Sequence, residues 1–182
     1  MKKIFILIIL LLFTYGCSHH IQPVSQEVEK INARILAYTS ENFTHFQSDY
    51  PSVLKTLSFK FNEPVTKYLP AFFNDMFIKA DFTDTETDLG DDYDFLVIPE
   101  FGKVSFDSDR TFGHELRVTV SMSFTAAGAD PIVVKGTSLA QDMYGGKTVY
   151  EQELAEKAFE DALKDLKKTL FKQRSDFEKR RP

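Results

Sequence analysis

Residues 112–125 read FGHELRVTVSMSFT and decide the fold class, because apolar and polar side chains alternate along the whole stretch. A period of two predicts a β-strand with one face toward the core and the other toward water or a partner. On the second face, Glu115, Arg117 and Thr119 are our candidate partner surface. The residues expected in the core are Phe112, His114, Leu116, Val118, Val120, Met122 and Phe124.

Three further strands are predicted around this one. Residues 126–131 have turn composition, and residues 132–142 return as a strand, so the pair is predicted to form a hairpin. A strand that Pro99 and Gly102 interrupt is expected from Phe95, and alternation at residues 53–61 predicts an earlier strand. The sequence therefore indicates an antiparallel sheet of about four strands.

Helical periodicity indicates three helices. The first is expected from Pro23 to about Gln47, since Val24, Val28, Ile31, Ile35 and Tyr38 recur at helical spacing. The second runs to Phe77 and either kinks or begins at Pro70. The third ends near Leu170, and Thr148 with Glu151 matches a capping box at its start. The predicted class is α+β, with helices packed on an antiparallel sheet, in the order α-β-α-β-β-β-α, in a single domain over residues 23–182.

The first sixteen residues have the pattern of a signal peptide. Lys2 and Lys3 precede the ten apolar residues 4–13, a run too short to cross a bilayer. Gly16 followed by Cys17 resembles the lipobox of bacterial lipoproteins, although Thr14 and Tyr15 depart from it. We expect cleavage between Gly16 and Cys17, a covalent lipid of the palmitate type on Cys17, and a lipidated tether over residues 17–22.

Cys17 is the one cysteine of the chain. An ordinary secretory signal with an incidental cysteine is the alternative, but an unpaired thiol in an oxidising compartment is a liability that acylation removes. Ser18 is not aspartate, and by resemblance to enterobacterial sorting rules this indicates the periplasmic face of the outer membrane rather than retention at the inner membrane.

Composition limits the classes of partner. The net charge is −5, and removal of the signal, which contains Lys2 and Lys3, leaves about −7, so no nucleic-acid partner is expected. The chain has 18 phenylalanines and no tryptophan. The cluster of Phe72, Phe73, Met76 and Phe77 could be a helix face buried on the sheet or the wall of an apolar groove, and composition leaves both open.

No metal site, cofactor or catalytic centre is expected. An EF-hand loop starting at Asp84 would need glycine where Leu89 stands and glutamate where Phe95 stands. A calcium site without EF-hand geometry, formed by carboxylates of residues 81–94, remains an alternative. The four histidines lack ligand spacing, Gly146–Thr148 lacks the first glycine of a phosphate loop at Gln141, and there is no G-x-S-x-G elbow.

Three segments resemble small outer-membrane lipoproteins. YDFLVIPEFGKVSF (93–106), HELRVTVSMSF (114–124) and EQELAEKAFEDALKDLKKTL (151–170) resemble the strand, longer strand and Ala-rich helix of the LptE-type lipopolysaccharide-assembly lipoproteins, and the element order is also similar to the YajG-type lipoproteins. The resemblance implies a structural role in supporting an outer-membrane β-barrel. Ser18 and His19 depart from the glycine-aromatic pair usual after the cysteine.

The expected function is therefore that of a lipid-anchored, non-enzymatic binding or assembly factor of the cell envelope, with a protein partner such as an outer-membrane barrel. Two alternatives stay open. One is a periplasmic carrier of a lipid or other apolar ligand, which the phenylalanine content favours. The other is an accessory lipoprotein of a cell-wall synthase, secretion or motility complex.

Overall fold

The computed structural model describes residues 29–52, 55–85, 87–109, 113–142 and 150–181. Within them the chain forms seven strands: β1 (Ile31–Tyr38), β2 (Gln47–Pro51), β3 (Thr56–Lys60), β4 (Phe77–Thr83), β5 (Phe95–Asp109), β6 (Gly113–Thr125) and β7 (Ile132–Asp142). It also forms four helices: α1 (Glu41–Thr44), α2 (Asn62–Met76), α3 (Glu151–Lys172) and α4 (Arg174–Lys179). The predicted signal peptide and tether, with Gly16 and Cys17, lie outside the described residues.

The main sheet has five strands in the order β4-β1-β5-β6-β7, and β2 and β3 form a separate antiparallel pair. β1 pairs in parallel with both β4 and β5, whereas β5, β6 and β7 form an antiparallel meander. The α+β class is confirmed. The predicted sheet of about four antiparallel strands and the predicted order α-β-α-β-β-β-α are wrong. The main sheet is mixed and contains two strands, β1 and β4, that the sequence pattern did not reveal. The strand predicted within residues 53–61 is β3, which lies in the separate pair.

The predicted first helix, and with it the N-terminal helix of the proposed domain, is wrong over residues 31–38. These residues form β1, in which Ile31, Ala33, Ile35 and Ala37 are all fully buried. Ile31, Ile35 and Tyr38 also fit a helical period, so the larger side chains alone misled the prediction. Residues 23–28 of that predicted helix lie outside the described residues.

The second helix ends earlier than predicted. α2 runs unbroken through Pro70 and stops at Met76, and Phe77 begins β4. Phe73, Met76 and Phe77 are all buried, so a single apolar run serves both the helix face and the strand. A fully buried apolar run does not distinguish helix from strand by its period, which explains why the sequence pattern did not predict β4.

The predicted hairpin is confirmed. β6 pairs with β7 in an unbroken antiparallel register from Phe124–Ile132 to His114–Asp142, and Gly128 in the turn has a φ of 71°. β5 continues through Pro99, which stays in register with Met122, and through Gly102, where the register shifts between Phe101 and Val104. The alternation of apolar and polar residues, together with the turn residues between the strands, was therefore a sufficient signal for this half of the sheet.

The long helix is confirmed, but it starts later than the capping box predicted. α3 begins at Glu151, which makes Glu151 its first residue and not its third, and Thr148 lies outside the described residues. The Glu151 carboxylate instead accepts a hydrogen bond from the Lys55 ammonium at 2.7 Å, which ties the helix start to the segment before β3.

Helix α3 packs directly on β7 at Gly136. A Cβ atom added there would lie 2.2 Å from the Ala162 carbonyl oxygen and 2.6 Å from Leu166 Cβ. Glycine in a strand commonly marks such a close approach of another backbone. The contact lets Ala158, Ala162 and Leu166 of α3 be fully buried against the sheet.

We predict that Gly136→Ala destabilises the fold by about 2–3 kcal/mol, because the methyl group cannot be accommodated without moving α3. Urea unfolding followed by circular dichroism measures the change. Gly90→Ala is the matched control, since a Cβ atom there meets nothing within 4 Å. Equal stability of the two variants would contradict the close packing of α3 on β7.

Candidate functional site

The described helices pack on one face of the main sheet. Phe43 of α1 stacks on Phe101, Phe73 of α2 contacts Phe77, and Phe177 of α4 contacts Phe95 and Phe124. Phe95 and Phe101 lie on the same side of β5 as buried Val97, and Phe124 lies on the same side of β6 as the other buried residues of that strand. The helices therefore cover the inner face, and the other face of β6 and β7 receives no described helix.

We call this uncovered surface the open face. It is formed by outward positions of two paired strands, and none of its side chains is buried. Hydroxyl groups predominate on β6, and one lysine lies on β7. The members are Glu115, Arg117, Thr119, Ser121, Ser123 and Thr125 on β6, and Val133, Lys135, Thr137, Leu139 and Gln141 on β7.

The structure places the three candidate residues of the sequence side by side on the open face. The Arg117 guanidinium lies 3.4 Å from the Glu115 carboxylate, and Gln141 donates a hydrogen bond to the same carboxylate at 2.6 Å. The Arg117 side chain is 60% exposed. Arg117 therefore retains donors that can reach a carboxylate or carbonyl group of a partner.

The open face also carries apolar side chains that the sequence pattern did not single out. Val133 is 51% exposed and Leu139 is 44% exposed, and they flank Lys135 and Thr137 on β7. The sequence contained this information, because both residues occupy positions of β7 that alternate with the apolar, buried ones and therefore point outward. Exposed apolar groups among hydroxyls give this face the mixed chemistry of a protein interface.

At the β1 side of the sheet, the outer face is partly covered. The Tyr93 hydroxyl donates to the Asp81 carboxylate at 2.8 Å, and the Lys79 ammonium lies 4.4 Å from the centre of the Tyr93 ring. The hydrogen bond from Tyr93 and the nearby Lys79 hold the pKa of Asp81 below its usual range. Tyr93 thus fixes the connection from β4 to β5 against the outer face of β4. Because this connection covers that part of the sheet, the open face is limited to the antiparallel strands.

The buried carboxylate of Asp94 holds that connection on β1. Asp94 is 2% exposed and accepts hydrogen bonds from the Arg34 backbone N–H at 2.8 Å and from the Arg34 guanidinium at 2.9 Å. Burial alone would raise the pKa of Asp94, but these hydrogen bonds and the charges of Arg34 and Arg181 outweigh burial and lower it. Asp94 is therefore a structural anion, ionised at neutral pH.

The cluster of Phe72, Phe73, Met76 and Phe77 belongs to the core. All four side chains are at most 8% exposed, and the Phe73 ring lies 5.4 Å from that of Phe72 and 6.2 Å from that of Phe77. Phe77 contacts Phe124 of β6 at 5.8 Å. These contacts favour the interpretation of the cluster as a helix face buried on the sheet.

Within the described parts of the chain, no three His, Cys, Asp or Glu side chains gather in a way that could hold a metal ion. Of the acidic segment 81–94, Asp81 and Asp94 are bound to Tyr93 and Arg34, and Glu86 lies outside the description. None of the helices over residues 29–181, as far as they are described, is long and apolar enough to cross a membrane.

Comparison with known proteins gives a distant likeness to a solved structure. No family model matches the chain. No curated protein matches it. Among solved structures, the crystal structure of protein XCC0632 from Xanthomonas campestris, described under the family model DUF330, is similar with a TM-score of 0.47 and 9% identity, over 82% of this chain and 88% of that one.

We predict that Asp94→Asn lowers the free energy of unfolding by about 1–3 kcal/mol. Breaking a fully buried ion pair costs about 3–5 kcal/mol, and the loss is smaller here because water reaches Arg34. The native pKa of Asp94 is lowered, so its contribution is present above the unfolded pKa of about 3.9 and disappears as pH falls through the native pKa.

Urea unfolding at a series of pH values from 3 to 7 checks this prediction. The difference between the wild type and Asp94→Asn should shrink below about pH 4. Asp88→Asn, at an exposed position, should follow the wild type throughout. A pH-independent difference would show that the charge of Asp94 does not carry the effect.

Proposed function

We propose that this chain is a lipid-anchored lipoprotein of the bacterial cell envelope that acts by binding and not by catalysis. The anchor is supported by the charged start, the short apolar run and the Gly16–Cys17 pair in a chain with one cysteine. Multiple acyl chains contribute about 0.8 kcal/mol for each buried CH₂ group, which makes such an anchor durable. Ser18 after the cysteine supports the outer membrane as its location.

The open face is the single observation that carries the binding role. All described helices pack on the inner face, which leaves outward residues of β6 and β7 available along two long paired strands. Water alone can cover an antiparallel sheet face, but this one adds the exposed apolar groups of Val133 and Leu139 to Arg117 and Lys135. A protein partner that supplies acceptor groups and an apolar contact would match this chemistry.

The leading form of the proposal is an assembly factor that supports an outer-membrane β-barrel, including the lipopolysaccharide-assembly role that the sequence resemblance implies. The residues that carry the resemblance fall on β5, β6 and α3. Burial of Phe73 and Phe77 in the core removes the main reason for proposing an apolar-ligand carrier. An accessory role in a cell-wall synthase, secretion or motility complex differs only in the identity of the partner.

We predict that Cys17→Ser abolishes lipid attachment and releases the protein from the membrane fraction, because the thiol is the group to which the lipid is attached. Metabolic labelling with an alkyne fatty acid, followed by fractionation of the cells, measures both effects. Ser18→Asp is the matched variant. It should keep the lipid and move the protein toward the inner membrane. Labelling of the Cys17→Ser protein would refute the assignment of the anchor.

We predict that a photoreactive phenylalanine analogue at Arg117, Lys135 or Thr137 crosslinks a defined envelope protein in living cells. The same analogue at Glu153 or Lys157, which are exposed on α3, serves as the control for random contact. Mass spectrometry identifies the product. Crosslinks that arise equally from both sets, or from the α3 set alone, would argue against the open face as the binding surface.

A further inference from the structure

The described chain begins and ends at the same end of the domain. The Arg174 guanidinium, at the junction of α3 and α4, lies 3.0 Å from the Glu29 carboxylate just before β1. Arg180 donates a hydrogen bond to the Asp130 carbonyl oxygen in the β6–β7 turn at 2.7 Å. Arg181 lies 3.7 Å from Asp94 at the start of β5. Residues 164–181 therefore run from the middle of β7 toward the place where the chain enters the domain, and α4 lies at that place.

This stretch is basic in an otherwise acidic protein. Residues 164–181 contain eight lysines or arginines and three aspartates or glutamates, whereas the whole chain carries −5. The side chains of Lys168, Lys172 and Lys179 are exposed. None of these three forms an ion pair with another residue in the described ranges, so their charges remain available to an external anion.

Two of the three acidic side chains of the stretch are engaged within the protein. Glu178 is bound to Arg174 at 3.0 Å, and Asp165 accepts a hydrogen bond from the Thr137 backbone N–H at 3.1 Å. Glu29, the neighbouring acid at the tether, is bound to Arg174 as well. Asp176 is exposed and opposes the lysines. The remaining surface charge of the stretch is positive.

The length of the chain between Cys17 and β1 brings this end within reach of the membrane. Eleven residues, 18–28, lie between Cys17 and Glu29. An extended chain spans at most about 3.3–3.6 Å per residue, so Glu29 stays within about 40 Å of the lipidated cysteine. A connecting segment of that length limits the distance between the domain and the membrane but does not fix the orientation of the domain. Surface charge can fix that orientation.

We propose that the exposed lysines of α3 and α4 bind anionic lipid headgroups of the membrane in which the chain is anchored, and so hold this end of the domain against the bilayer. The inference rests on the proposed lipid anchor. Attraction of a basic surface to anionic lipid decays within a Debye length, which is about 10 Å at 0.1 M salt. The contact therefore forms only when the lysines lie close to the headgroups.

The test uses the full chain, processed and lipidated in a bacterial host and reconstituted into vesicles. Vesicles of phosphatidylcholine alone are compared with vesicles that also contain phosphatidylglycerol. An amine-reactive acetylating reagent labels the lysines, and mass spectrometry measures the rate at each position. Lys168, Lys172 and Lys179 should react at least threefold more slowly on the anionic vesicles, and 0.5 M salt should remove the difference. Lys103 of β5 and Lys157 in the first half of α3, which are both exposed, should react equally on both.

Two double variants test whether the protection depends on the positive charge of these lysines. Lys172→Glu with Lys179→Glu should abolish the protection of Lys168, whereas Lys103→Glu with Lys157→Glu should leave it unchanged. Protein that floats with the vesicles but shows equal labelling of Lys168 on both lipids would overturn the membrane contact and leave the anchor intact. Protein that carries no lipid and does not float would overturn the anchor, and the membrane contact with it.

Discussion

The ion pair between the buried carboxylate of Asp94 and the partly exposed Arg34 is the constraint on which the sheet depends. β1 lies between two parallel neighbours, so the chain must leave β4 and return across β1 to start β5. At that crossing, Asp94 receives the backbone and side-chain N–H groups of Arg34, and the Asp94 N–H donates to the Arg34 carbonyl oxygen at 2.8 Å. A buried carboxylate is costly unless it is paired and hydrogen-bonded. This arrangement satisfies it and also fixes where β5 begins.

The remainder of the sheet follows from that starting point. Once β5 is placed beside β1, β6 and β7 are added by local antiparallel turns, and Gly136 lets α3 approach them closely. The antiparallel strands β5, β6 and β7 could be predicted from the sequence, because alternation and turn residues identify hairpins without knowledge of distant contacts. β1 and β4 were not accessible, since parallel pairing is non-local and buried small residues such as Ala33 and Ala37 hide the period of two.

The candidate site was predictable to a similar extent. Strict alternation in β6 is enough by itself to place Glu115, Arg117 and Thr119 on one face of the strand. The limits of the open face could not be predicted, because they depend on Tyr93, which reaches the outer side of β4 through its bond to Asp81. The role of Asp94 could not be predicted either. Nothing in the local sequence distinguishes the one buried carboxylate from the other acidic residues of 81–94.

The proposed anchor and the proposed binding role of the open face together would limit how a partner can approach. β1, β4 and β5 start, and β6 ends, at the end of the domain where the tether enters, so the open face extends away from that end. From Thr125 to Glu115 a strand rises about 3.4 Å per residue, or about 34 Å in total. In the proposed orientation, with the basic end against the bilayer, Arg117 and Glu115 would lie far from the headgroups. A partner that binds them would then have to extend away from the membrane, whereas Ser123 and Thr125 would be within reach of the membrane surface itself.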